Sequence, residues 1–508
     1  MGTFELLAGG IQNAFALGAF LTIVIGLMVG VIAGALPGIS FVNAMAIALP
    51  FTYVMTPTQA MLFLGGIYVG GVFGGSISSI MINVPGTPAS LPACWDGYPM
   101  TRRGEVRRAI SIAVTASATG GLASALLLTF GAAPFANFAL RFSQPEFFAA
   151  TVLGLISVIA IAKDRPAVSL LSMLLGIVVG TVGVDSTYGV PRFTFGVPAL
   201  QSGIDFTVVM IGLFAVSEVI DLLATNRDLR PKKTAGQGLP IRFRDIWDIR
   251  GAIARGAGLG CIIGVVPGAG ATPAAVIAYG IERQASPRGR EFGTGVESGL
   301  AAPEAAKNAT TGAAMIPLLT LGIPGSAATA IMLAAMMLHG VNPGPMLFLT
   351  DPTMIYTIFV AMIVANLLMI GAGIGVAQFF STLMRTPPAV LAAFIVVLSV
   401  VGAYGVRNNI FDVYVCLAFG VLGWVMKRTG FPSAPLVLGV ILGPLAERYF
   451  MTSLASSGGD WTVFFTRPIS GTILLLAFLF AVWSLYPSIK GALANFRASR
   501  EAEHGSRN

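Results

Sequence analysis

Long apolar runs, separated by short polar loops, recur along the whole chain, and most are long enough to cross a lipid bilayer. In the first half they lie near 15–36, 58–82, 108–130, 146–162, 166–184 and 204–224. In the second they lie near 256–279, 308–338, 352–380, 388–406, 410–426, 433–450 and 468–486. The stretch 41–55 is short and predicts half a helix or one arm of a re-entrant hairpin. The pattern predicts an all-α polytopic membrane protein with about 11–13 membrane segments. Its expected parts are a first membrane repeat (1–224), a basic cytoplasmic linker with an amphipathic helix (225–255) and a second membrane repeat (256–451). An extra C-terminal membrane helix (468–487) and a cytoplasmic tail (488–508) complete it.

The two halves repeat each other at their breaks. GVIAGALPGISFVNAMAIA (Gly30–Ala48) matches GCIIGVVPGAGATPAAVIA (Gly260–Ala278) without a gap, so Pro37-Gly38 falls on Pro267-Gly268. INVPGTPAS (Ile82–Ser90) matches LGIPGSAAT (Leu321–Thr329), placing Pro85-Gly86 on Pro324-Gly325. Proline removes a backbone donor and glycine permits unwound geometry, so each pair predicts a broken helix or a re-entrant hairpin. Broken segments at matching positions of two halves point to the binding site of a secondary transporter.

Loop charge sets the expected orientation. Arg102, Arg103, Arg107 and Arg108, then Lys163 with Arg165, then the basic stretch 225–255 all fit the cytoplasmic side. HGVNPGPMLFLTDP, the second-half counterpart of the first of these loops, has no Lys or Arg and fits the outside. Equivalent loops thus fall on opposite faces, as two inverted-topology repeats require. The N-terminus is expected outside and the basic tail inside, with loop 282–307 undecided.

Composition supports the membrane reading: 55% of residues are hydrophobic and 10% charged, and the mean hydropathy is +0.84. The net charge of +8 lies in loops and tail and implies no nucleic-acid partner. Cys94, Cys261 and Cys416 lack metal-ligand spacing and read as packing residues. Walker A, HExxH and CxxC patterns are absent, which argues against an enzyme.

A helix restarting after a break offers unpaired N–H groups and about half a positive charge to an anion. Ser40 and Asn43 follow the first break, while Asn83, Thr87 and Ser90 surround the second. Thr272 follows the third, and Ser326 with Thr329 follow the fourth. These hydroxyls and amides can donate to a carboxylate or, with unwound carbonyls, coordinate Na⁺. Glu304, Lys307 and Asn308 precede the fourth break. They read equally as coupling group or substrate counter-charge, or as an internal ion pair at a helix start. Glu218 and Asp221 are expected at the cytoplasmic end of their segment. No cofactor or resident metal is expected beyond a coupling Na⁺ or H⁺.

The stretches GALPGIS, YVGGVFGGSISSIMINVPGTPAS, DGYPMTRRGE, GVVPGAGATPAAVIAYGIE, FGTGVESGLAAPEAAKNATTGAAMIPLLTLGIPGSAATA, NPGPMLF and APLVLGVILGPLAE together carry a close resemblance to a known family. The chain resembles the TctA family, the large membrane subunit of tripartite tricarboxylate transporters, over nearly its full length. The resemblance implies import of citrate or other organic acids across a bacterial inner membrane, driven by a cation gradient. It also implies a small TctB-type membrane subunit and a periplasmic TctC-type solute-binding protein as partners. The alternatives, an intramembrane enzyme or a channel, would need converging catalytic residues or uncoupled flux.

Overall fold

The computed structural model describes residues 3–36, 40–161, 166–185, 189–224, 243–268, 270–383 and 388–482. Pro37, Gly38, Lys163, Arg165, most of the linker (225–242) and the tail (488–508) lie outside the described residues, as does the end of the 468–487 segment. The described residues are almost wholly helical; the sole ladder pairs Gly183–Val184 with Pro191–Arg192.

Six helices are long and apolar enough to cross a membrane: Leu17–Ala35, Pro57–Ile82, Val106–Ala139, Pro352–Phe380, Ile410–Thr429 and Ser433–Ser456. Shorter apolar helices include Phe41–Val54, Pro166–Gly180, Ala327–Leu338, Ala392–Arg407 and Pro468–Val482. Several expected spans are shorter because the breaks cut them. The run 256–279 becomes Arg250–Val265 and Ala271–Ala285. The run 308–338 is divided among Glu297–Ala313, Met315–Leu321 and Ala327–Leu338.

Two compact units form, each from pieces of both halves. One comprises Met1–Arg141 with Asp205–Val425, the other Phe142–Ile204 with Met426–Asn508. In the second unit, helices Pro166–Gly180 and Ser433–Ser456 pack backbone to backbone. A side chain at Gly176 would meet the Leu436 carbonyl and one at Gly439 the Met173 carbonyl, so only glycine fits. Arg192 pairs with Glu447 at 2.5 Å and Arg467 with Glu146 at 2.6 Å in the same unit.

All four breaks belong to the first unit. Its central helix, Pro57–Ile82, starts with a capping box in which Thr56 and Gln59 satisfy each other's backbone N–H. Its apolar window is wholly buried. Leu17–Ala35 runs parallel to it through close glycine contacts: Gly26 on Phe63, Gly30 on Ile67, Gly34 on Gly71. Both helices therefore start at the same end, and the chain between them must return there. Phe41–Ala48 and the 3₁₀ turn Leu49–Val54 provide that return.

The second half is built the same way. Gly256 packs on Ala302, Gly260 on Ala306 and Gly264 on Thr310, so Arg250–Val265 runs parallel to Glu297–Ala313. Each of these six contacts maps onto its counterpart: the glycines shift as Gly30 to Gly260, their partners as Pro85 to Pro324. The two central helices themselves run antiparallel. Gly97 touches both Ile80 and Leu300, Ser76 meets Glu304, and Tyr68 reaches Ser326, so one numbering falls as the other rises.

Candidate functional site

The third and fourth breaks meet, and the second lies against the end of Leu17–Ala35. At the second, Pro57–Ile82 ends on Asn83 in the left-handed conformation, and Gly86 turns back to donate to the Gly75 carbonyl at 3.3 Å. A methyl on Gly86 would sit 2.3 Å from the Gly34 carbonyl oxygen, just before the first break. At the third, Gly268 (φ +82°) donates to the Gly325 carbonyl of the fourth at 2.9 Å. The helix after the third break packs on Pro88–Ser90, and that after the fourth packs on Phe41–Ala48. The segments that follow the third and fourth breaks thus pack on segments of the first half.

Polar side chains line this meeting point unevenly. Thr87 and Ser90 hydrogen-bond at 2.9 Å, and both are buried. Their counterparts Ser326 and Thr329 form a capping box at the start of Ala327–Leu338, with the two hydroxyls 3.2 Å apart. Ser40 caps Phe41–Ala48 by accepting from the Asn43 N–H. Asn83, Pro85 and Thr272 are exposed, outside these buried clusters; Pro267 is partly buried and Pro324 fully buried. Pro37 and Gly38 lie outside the described residues.

Glu304 and Lys307 form an internal ion pair, but in the middle of Glu297–Ala313 and not at a helix start as expected, because the helix begins before the apolar run. Their charged atoms are 3.0 Å apart, and both side chains are essentially inaccessible. Glu304 also accepts from Ser76 at 2.6 Å and from Ser117 at 2.9 Å. Lys307 donates to Ser76 and, at 3.2 Å, to Ser90. Asn308 donates to Ser117 at 2.8 Å, leaving its buried carbonyl oxygen without a partner among the described residues. Three bonds to Glu304 and three from Lys307 offset the cost of burying two charges, which an isolated pair would not. The pair binds the central helices and the second break into one body.

Three features escaped sequence reading. Tyr68, one repeat away from Lys307, lies 3.5 Å from Ser326 just as Lys307 reaches Ser90. Glu218, expected at the interface, is buried and accepts from the Asn43 amide at 3.2 Å. Asp96, within DGYPMTRRGE, is fully buried and accepts from Tyr279 and from the backbone N–H groups of Gly293, Gly295 and Val296 at 2.8–3.0 Å. Arg103 donates to the Thr294 and Gly295 carbonyls, and Arg108 pairs with Glu297 at 2.6 Å. Of the expected loop 282–307 only 286–296 lies between helices, and these bonds place that stretch beside the basic loop 102–108.

Two surface concavities, of about 600 and 500 Å³, are lined by groups such as Arg283 and Arg290, and Arg107 and Gln378. Neither is lined by break residues. The buried hydroxyls of Thr87, Ser90 and Thr329 are closed to solvent in this conformation.

Comparison with known proteins agrees with this architecture. The profile described as "Tripartite tricarboxylate transporter TctA family" matches residues 20–438. The chain is 36% identical over 466 residues to the "Uncharacterized 52.8 kDa protein in TAR-I ttuC' 3'region" of Agrobacterium vitis, covering 92% of this chain and 93% of that protein. It is 37% identical over 231 residues to the "Uncharacterized protein in TAR-II ttuC' 3'region" of the same organism, covering 46% of this chain and 96% of that one. No solved structure matches. A transporter family matched across most of the chain, over a bundle of apolar helices with paired breaks, gives one conclusion: the chain belongs to the TctA family and is a membrane subunit of a tripartite tricarboxylate transporter.

Proposed function

We propose that the chain is the permease subunit of a binding-protein-dependent secondary active transporter that imports a tricarboxylate or related organic acid, driven by a Na⁺ or H⁺ gradient. The observation that carries this reading is that breaks pair within each half, through Gly268–Gly325 and the Gly86–Gly34 approach, while the helices after the third and fourth breaks pack on Pro88–Ser90 and Phe41–Ala48 of the other half. Helices that restart there can offer main-chain N–H groups to carboxylates without a charged side chain for each, which would cost about 2.5–3.5 kcal/mol in lipid. Parallel pairs within each half and antiparallel central helices between halves support inverted-topology repeats. Alternating access by such repeats opens a shared site to each face in turn. The breaks with Ser40, Asn43, Thr87, Ser90, Thr272, Ser326 and Thr329 are the substrate and ion site in this reading.

The protein works in the bacterial inner membrane with a small TctB-type subunit and a periplasmic TctC-type receptor, and it catalyses no covalent chemistry. Its N-terminus faces the periplasm, and the basic loop 102–108, with loop 286–296 beside it, faces the cytoplasm. The test is uptake of labelled citrate by proteoliposomes holding the complete transporter, with Na⁺ and proton gradients imposed separately. Saturable, receptor-dependent uptake that follows one gradient supports the reading; uptake indifferent to both refutes it.

A further inference from the structure

We infer that Glu218 is the carboxylate through which the driving cation acts, a role resting on the cation-driven reading above. Four observations converge on it. Phe206–Met210 runs into a π-helical segment, Ile211–Val216, immediately before Ser217–Ala224. Such segments are rare and recur at functional sites because the altered ladder displaces the next turn. Ser217 uses its hydroxyl to cover the Leu213 and Phe214 carbonyls within that turn.

Glu218 follows directly, only 7% exposed, and accepts from the side chain of Asn43, itself 6% exposed. Asn43 sits in the first turn of the returning arm, three residues after its cap Ser40. The neighbouring Phe41 packs on Gly71, near the middle of Pro57–Ile82, so Glu218 lies beside the arm's first turn, level with the middle of that helix. A buried carboxylate at that depth is costly and is a functional candidate by default.

The other acidic candidate is engaged differently. Glu304 has Lys307, Ser76 and Ser117 on its two oxygens. Glu218 instead joins the π-helical rod to the re-entrant arm, two elements that an opening motion would separate. The elements packed on the rod carry further ionisable groups. Phe41–Ala48 contributes none; Pro388–Arg407 contributes Tyr404 and Arg407, the latter paired with Asp412 of Ile410–Thr429; that helix ends in Lys427 and Arg428, and Asp221 lies one turn beyond Glu218. A cation taken up at Glu218, whether a proton or Na⁺, changes what the carboxylate offers Asn43 and so the fit of the arm against the rod.

The experiment compares wild type with Glu218→Gln in proteoliposomes of the complete transporter, reading two fluxes of labelled citrate. Glu218→Gln is expected to keep equilibrium exchange within about threefold of wild type while losing gradient-driven accumulation by about a hundredfold. Accumulation by the variant equal to wild type overturns the inference while leaving the cation-driven reading intact. Wild type that accumulates under neither gradient sinks that reading and this one together. If Glu218→Gln does not reach the membrane, Glu218→Asp decides. It should stay coupled with its half-saturating cation concentration raised about tenfold, and an unchanged value overturns the assignment.

Discussion

At the second break the hydroxyl pair Thr87–Ser90 meets the Lys307 ammonium; at the fourth the equivalent pair Ser326–Thr329 meets the Tyr68 phenol. Lys307 and Tyr68 are themselves repeat equivalents, each sent by one half's central helix to the other half's break. The geometry is shared, and the chemistry is not. On the helix after the second break stands Asp96, clasped by four donors; the matching position after the fourth is Ala335, buried among apolar neighbours. A methyl at Gly86 meets backbone at 2.3 Å, whereas one at Gly325 comes no closer than 3.1 Å to Ala314. The second break is fastened by charge and close backbone contact. The fourth is capped by its own residues and tied to the third through the Gly325 carbonyl.

Substitutions separate the two. The largest effect belongs to Lys307→Met, which leaves Glu304 buried without its counter-charge and costs about 3–5 kcal/mol, read as thermal stability in detergent. Adding Glu304→Gln should return most of that loss. Gly86→Ala should lower uptake of the transported acid about a hundredfold, about 3 kcal/mol, since backbone and not a flexible side chain blocks the methyl. Gly325→Ala should stay within about fivefold of wild type, because its neighbour need yield only slightly. Equal losses from the two alanines would erase the distinction. Asp96→Ala strands buried donors at about 1–3 kcal/mol and should speed hydrogen exchange at Gly293, Gly295 and Val296. Tyr68→Phe is the mildest, about 1 kcal/mol or less, because the Ser326–Thr329 capping box remains.

The positions of the breaks were legible in the sequence because proline and glycine act locally, and the matching Pro-Gly pairs fix the register of the repeat. The glycine-rich spacing in Gly26–Gly34 and Gly256–Gly264 shows its purpose only when the carbonyls it packs on are known. Lys307 gave no sign of which reading to prefer, since Ser76, Ser90 and Ser117 lie far off in sequence. Asp96 binds mainly main-chain N–H groups, which have no sequence signature. The depth of Glu218 was hidden because a hairpin arm, and not the helix's own polarity, covers it. Equal charge in 282–307 could not assign its side, whereas the bonds of Arg103 and Arg108 place its part between the α-helices, 286–296, beside loop 102–108.

The central claim is that these breaks from both halves form one carboxylate site. A cryo-electron-microscopy map of the complete transporter with saturating citrate tests it most directly. Density within about 4 Å of the Thr87–Ser90 and Ser326–Thr329 segments, touching restarted helix ends of both halves, is the predicted result. Citrate density bound only at residues remote from all four breaks would contradict the account.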